Sequence, residues 1–370
     1  MKIFLKLYAN LNLGDDLFLK ILLERYPQIK FYLPASDRYK LLFNRYENLE
    51  VIEDTYNVKY SLFKRMINSV LRKFFLEKYI KKLVSRYSKM FNLNDFDAFV
   101  SIGGSIFMQK KIFPVYNSVV FYKTAQKKYN NTFFLGCNFG PYTDSIFLHN
   151  YKDIFAKATD VCFRESNSWE LFKDLGNVRY LPDIVFGLDI SHYNVPKIQN
   201  SVGLTIIKPK ANLSLQAYVE KYVELIKYYK KVGYEVFLFS FCEAQGDGVI
   251  LDLVMESIDD KSNISRVIYN GDIDDFLAVY GAMEQMYCGR FHSMILSMIF
   301  NQKIFPVIYS SKMTNVLEDI NYKGTSLDLE EFCNADVEKM FSQINSNYYD
   351  ISDCRNKSMQ QFKKLDELVN

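Results

Sequence analysis

Histidine is scarce in this chain of 370 residues, which has three: His149, His192 and His292. The six cysteines (Cys137, Cys162, Cys242, Cys288, Cys333 and Cys354) are never closer than 21 residues, so no C-x-x-C pair exists. Imidazole and thiolate are the usual zinc ligands, and neither occurs here at a ligand-like spacing. No metal site and no redox dithiol are expected. Scattered thiols without a secretory leader fit a reducing compartment, and a cytoplasmic protein is expected. No apolar run approaches the about 18 residues that a membrane-spanning helix needs. Low-complexity tracts and internal repeats are also missing. Hydrophobic residues at 49% and charged residues at 24% exclude disorder and leave ample apolar surface to bury. Aromatic residues are abundant (28 Tyr and 31 Phe), which suits sugar stacking but is more simply a compositional habit.

What is present is an alternation of strand-like and helix-like patterns. Apolar runs at 2–8, 30–34, 49–53, 98–102, 132–136 and 161–163 read as buried strands. The alternation resumes at 202–207 and continues through 235–241, 266–269, 286–288 and 304–309, with a helical pattern at 215–231 among those between. The expected fold class is α/β, with two Rossmann-like doubly wound domains facing a central cleft. Residues 1–188 form the first domain and 200–335 the second, joined by a polar stretch at 189–200. A helical tail at 336–370 is expected to cross back onto the first domain.

The stretch 287–312, YCGRFHSMILSMIFNQKIFPVIYSSK, concentrates the potential chemistry. It reads as strand, helix, strand, so Gly289, Arg290 and His292 follow one strand and Ser310, Ser311 and Lys312 follow the next. Ligands of open parallel sheets bind at such strand ends, where helix N-termini favour anions. Arg290 and Lys312 would bind a phosphate or carboxylate. His292, with an ordinary pKa of about 6.5, could move protons near neutral pH. The duller alternative makes the two cations solvated surface charges and His292 a structural histidine. In the first half, Arg164 ends a strand and begins a helix, where its planar fork could grip an anion or make a salt bridge. Asn12 and Asp15 sit in the loop NLNLGDD, which lacks the spaced glycines of a phosphate-binding loop. They could accept hydrogen bonds from sugar hydroxyls or cap a helix. Ser105 and Asn138 lie in two further strand-end turns and complete the expected acceptor side.

Charge is uneven. Residues 57–92 hold ten basic residues and one acid, Glu77, for a net +9, and the rest of a chain of total +3 carries −6. Leu62, Phe63, Met66, Val70, Leu71, Phe74, Phe75, Tyr79, Ile80 and Leu83 interleave with the charges at helical spacing. A basic amphipathic helix of this kind can lie on an anionic membrane, so peripheral contact through 59–89 is expected, at the inner face of the cytoplasmic membrane. The alternative is a helix packed on its own domain. Nucleic acid is not an expected partner, because no other basic cluster exists.

Taken together, NLGDD, GGSIF, GCNFGP, RESNS, LPDIVF and GRFHSMILSMIFNQKIFPVIYSSK resemble the polysaccharide pyruvyl transferases over residues 9–320. The resemblance implies a GT-B-like fold and phosphoenolpyruvate as co-substrate, with no further cofactor. It also implies a sugar acceptor, lipid-linked or in a cell-surface glycan precursor, that receives a cyclic ketal across two hydroxyls. By motif, Arg164, His292 and Lys312 would serve the donor, and Asp15 and Ser105 would be cleft residues. Two rivals stay open: a GT-B glycosyltransferase that uses a nucleotide sugar, and a glycan-binding protein without catalysis.

Overall fold

The computed structural model describes residues 1–54, 62–109, 116–193, 196–209 and 213–370. Its strands are β1 (Lys2–Lys6), β2 (Lys30–Ala35), β3 (Leu49–Glu53), β4 (Ala98–Ile102), β5 (Thr132–Cys137), β6 (Asp160–Phe163) and β7 (Val178–Tyr180). The second series is β8 (Ser201–Thr205), β9 (Glu235–Ser240), β10 (Ile264–Ile268), β11 (Gln285–Cys288), β12 (Lys303–Ile308) and β13 (Leu327–Asp328). The first series forms a sheet in the order β3-β2-β1-β4-β5-β6-β7, and the second a sheet in the order β10-β9-β8-β11-β12-β13. Every pairing is parallel. This is the expected class, two doubly wound α/β units. In each sheet the order reverses beside its first strand, between β1 and β4 and between β8 and β11, and these switch points are where such folds bind ligands.

Each sheet is covered by helices that bury an apolar face. In the second unit the helix Leu215–Lys231 directs Tyr218, Tyr222, Leu225, Ile226 and Tyr229 into a core with Val202, Leu204 and Leu238. In the first unit Leu76–Phe91 places Tyr79, Leu83, Tyr87, Met90 and Phe91 on one side at helical spacing. These residues join Phe4, Phe99 and Phe121 in the core. Phe91 meets Phe4 edge to face at a centroid distance of 5.0 Å. Burying each such side chain contributes about 1.5–3 kcal/mol, so the second half of the basic segment is held by its own domain. The expectation of one membrane helix over 59–89 therefore does not apply to Tyr79 and Leu83, which are core residues. Residues 57–61 of that segment, Lys59 included, lie outside the described residues. Among the described residues, no helix is long and apolar enough to cross a membrane.

The unit boundaries differ from the expected ones. The first unit comprises Met1–Ala9, Leu19–Pro182 and Met359–Asn370, and the second comprises Asn10–Phe18 and Asp183–Ser358. Only the last part of the tail, Met359–Asn370, returns to the first unit. Arg25 grips Asp366 with Nε at 3.1 Å and Nη2 at 2.7 Å, and the Tyr26 hydroxyl donates to the same carboxylate at 2.7 Å. Gln361 Oε1 accepts from the Gly136 N–H at 2.7 Å, at the point where the register between β5 and β6 shifts. At the other end of the chain, Asn10–Phe18 joins the second unit because the Leu13 N–H donates to the Phe241 carbonyl at 3.1 Å. The buried Asp16 carboxylate also accepts from the Tyr269 hydroxyl at 2.7 Å.

Candidate active site

In the second unit the switch point is built by close approach. Gly289 follows β11, and a Cβ there would lie 2.2 Å from the Thr205 carbonyl oxygen at the end of β8. Its N–H donates to Thr205 Oγ1 at 2.7 Å, and that hydroxyl is 2.9 Å from Ser293 Oγ. Only glycine allows this contact, which starts the helix Phe291–Ile299 at the switch point itself. Ser293 Oγ accepts the Arg290 N–H at 3.1 Å and so caps the first turn.

His292 is the second residue of that helix. Its Nε2 lies 3.8 Å from Asp183 Oδ2, and its side chain is 13% exposed. The ring packs edge-on against Phe18 and Phe291, at centroid distances of 5.4 and 5.0 Å. Gly14 forms the floor: a Cβ at that position would be 1.7 Å from His292 Nδ1. The ring is thus fixed on four sides, with the Asp183 carboxyl group beside Nε2. Asp183 is itself anchored, since its Oδ1 accepts the Val185 N–H at 2.8 Å. Lys312, second in the helix Ser311–Asp319, carries Nζ 5.3 Å from the centroid of the Phe291 ring and 5.2 Å from that of Tyr309. Ser310 is the N-cap residue of this helix and Ser311 its first residue. The second unit therefore gathers His292 and Lys312 around Phe291, at two adjacent helix starts that favour anions.

Arg290 has another partner. Its guanidinium is buried and ion-paired with Asp247, whose other oxygen accepts the N–H groups of Phe241 and Cys242 at 3.2 and 3.0 Å. Burial raises the Asp247 carboxyl above its ordinary range, and Arg290 with the two N–H donors pulls it back. A cation expected to meet the donor instead holds the loop after β9 against the loop after β11. Asn12 also serves the fold, since its Oδ1 accepts the Gly14 N–H at 3.1 Å and caps the helix Leu13–Arg25. Asp15 lies in the first turn of that helix. Both residues belong to the second unit rather than to the expected first one, and they flank the glycine beneath His292.

In the first unit three strand-end turns meet. The Arg164 N–H donates to the Cys137 carbonyl at 2.9 Å, and its Nη2 donates to Asn138 Oδ1 at 2.8 Å. Ser105 Oγ donates to the same amide oxygen at 3.1 Å, and the Asn138 N–H returns to the Gly104 carbonyl at 3.0 Å. The Arg164 side chain lies over Gly104, where a Cβ would come within 2.4 Å of both terminal nitrogens. Ser105, Asn138 and Arg164 thus form one polar cluster at the ends of β4, β5 and β6. Gly104→Ala is expected to push the guanidinium off Asn138 and to cost activity as Arg164→Lys does. Loss of a charge-assisted, geometry-dependent grip corresponds to roughly 10- to 100-fold in kcat/KM. Steady-state kinetics of both variants checks this, and full activity of Gly104→Ala would release Arg164 from any role that depends on its position.

Sequence reading missed Gly14, Gly104, Asp183 and Asp247 as parts of these clusters. Asp183 had a usable signal, because an acid inside the apolar stretch LPDIVF must find a partner when buried. Burial pushes the nearby thiols up, Cys288 to about 12 and Cys242 to about 11, which disfavours their thiolate forms near neutral pH. Among the described residues no group of three or more His, Cys, Asp or Glu is placed to hold a metal ion.

Comparison with known proteins agrees with this architecture. Solved structures of similar fold include UDP-GlcNAc 2-epimerase from Methanocaldococcus jannaschii, with TM-score 0.62 and 9% identity over 100% of this chain and 99% of that one. UDP-GlcNAc 2-epimerase from Neisseria meningitidis, bound to UDP-GlcNAc, gives TM-score 0.61 and 9% identity over 100% of both chains. HepE from Anabaena, in complex with UDP and glucose, gives TM-score 0.57 and 12% identity over 100% of this chain and 99% of that one. At such identities the likeness shows the GT-B-like fold alone. No curated protein matches at the level of sequence. The polysaccharide pyruvyl transferase family model matches residues 12–311, a span that runs from the cap Asn12 through the Arg164 cluster and His292 to Ser311, one residue short of Lys312. The chain belongs to the polysaccharide pyruvyl transferase family.

Proposed function

We propose that this protein transfers the enolpyruvyl group of phosphoenolpyruvate to two hydroxyls of a sugar in a lipid-linked or cell-surface glycan precursor, forming a cyclic ketal. The observation that carries the reading is the immobilised His292 in the first turn of its helix, inside the family match, with Lys312 at the next helix start one residue beyond the matched span. The methylene carbon of the donor takes a proton and becomes a methyl group, leaving an oxocarbenium-like C2. One sugar hydroxyl adds to C2, the C2–O bond to phosphate breaks, and the second hydroxyl closes the ring. Of the two hydroxyl protons, one equals that gained by the methyl group and the other leaves with phosphate. His292 is assigned the proton transfer, for which an imidazole is suited near neutral pH. Lys312 is assigned to the phosphate or carboxylate of the donor, and Arg164 to an anionic group of the substrates. Arg290 positions the His292 loop through Asp247.

Lys312→Ala is expected to raise the KM for phosphoenolpyruvate by roughly tenfold or more, the value of one hydrogen bond to a charged group, with a smaller effect on kcat. An unchanged KM would remove Lys312 from the donor site. The reading as a whole is tested by incubating the protein with phosphoenolpyruvate and a lipid-linked oligosaccharide pool. Phosphate release with a carboxyethylidene adduct by mass spectrometry supports it. Release of nucleoside diphosphate from a sugar nucleotide would instead make the chain a glycosyltransferase, in keeping with the nucleotide-sugar enzymes that share its fold. Glycan binding without either product would make it a binding protein.

A further inference from the structure

The helix Leu62–Phe74 turns apolar side chains to solvent. Met66 is 68% exposed, Phe74 67% and Val70 49%, and Phe75 just beyond is 58% exposed. With Ile67 they are not scattered: at 3.6 residues per turn, positions 66, 67, 70 and 74 fall within a sector roughly 100° wide. Leu71 packs against the first core, so the helix is anchored by another side while this stripe stays uncovered. Cations lie in the same segment. Lys73 is exposed, and Lys78, Lys81 and Lys82 are exposed on the helix that follows, with Glu77 as the lone acid of the segment. Since the rest of the chain carries −6, an anionic surface attracts this face and repels the remainder, which sets an orientation as well as an affinity.

The structure assigns to Leu62–Phe74 and Phe75, rather than to the whole basic segment, a docking surface for an anionic lipid bilayer. Met66, Ile67, Val70, Phe74 and Phe75 enter the boundary between headgroups and acyl chains, and the lysines meet lipid phosphates. An exposed apolar stripe within a segment of exposed lysines fits that two-layer target. The assignment does not depend on the donor that the enzyme uses, and its test measures lipid alone.

In sedimentation with vesicles, the full-length protein is expected to bind phosphatidylcholine containing phosphatidylglycerol and to stay in solution with phosphatidylcholine alone. Salt should weaken the binding. Replacing Phe74 and Phe75 together by Ser is expected to lower the partition coefficient by about tenfold or more, and Lys78→Glu with Lys82→Glu to do the same. If the phenylalanine pair fails to fold, as judged by its melting transition, Met66→Ser with Val70→Ser carries the test. Failure of the wild type to bind the anionic vesicles overturns the proposal, as does binding that these folded variants retain in full. Self-association lost on the same substitutions would overturn it by making a second copy the occupant. Preferential binding of RNA over vesicles would likewise overturn it.

Discussion

His292→Gln is expected to lower kcat by about 10² or more while the melting temperature stays close to that of the wild type. Glutamine keeps a polar side chain of similar reach beside Asp183 but cannot exchange a proton near neutral pH. The KM for phosphoenolpyruvate should change less, because the donor anion is assigned to Lys312. Near wild-type turnover by a folded His292→Gln protein would remove the residue from the chemistry. A large fall in melting temperature would identify it as a packing histidine, held between Phe18 and Phe291 for stability alone.

Gly14→Ala should reproduce that loss without touching a chemical group. The added Cβ would sit 1.7 Å from His292 Nδ1, far inside any contact distance, so the ring must leave its place. Its exits are narrow, because two aromatic rings and the anchored Asp183 surround it. The backbone itself tolerates alanine: Gly14 lies in the first turn of the helix Leu13–Arg25, and alanine is the better helix former. The clash is expected to cost about 1–3 kcal/mol of stability, partly offset by the better helix propensity of alanine, while kcat falls as it does for His292→Gln. Combining Gly14→Ala with His292→Gln should add no further loss, since both act on one side chain. Additive losses in the double variant would show that Gly14 matters for another reason.

The periodic features were readable from residues alone. Apolar runs foretold most of the strands, and the pattern at 215–231 coincides with the helix Leu215–Lys231. Both strand-end loops of 287–312 lead into helices, as read, because capping and turn chemistry are local properties. The candidate residues were legible as types at strand ends, Arg164, His292 and Lys312 among them. Their partners were not. Asp183 is 109 residues from His292, and Asp247 is 43 from Arg290. Nothing in local spacing tells which distant group each cation will meet.

By itself, then, the sequence determined the alternation of elements, the parallel α/β class and the chemical types at the strand ends, because those depend on side-chain period and local backbone preference. Only the tertiary structure decided that Asn10–Phe18 joins the second unit, where it sets Gly14 under His292. Likewise it decided that Arg290 supports a loop, and that Leu76–Phe91 packs its apolar face inward while Leu62–Phe74 leaves one out. The reason is common to all three. Which face is covered, and which charge is answered, depends on groups brought together across long stretches of chain, and that pairing exists only once the sheets have formed.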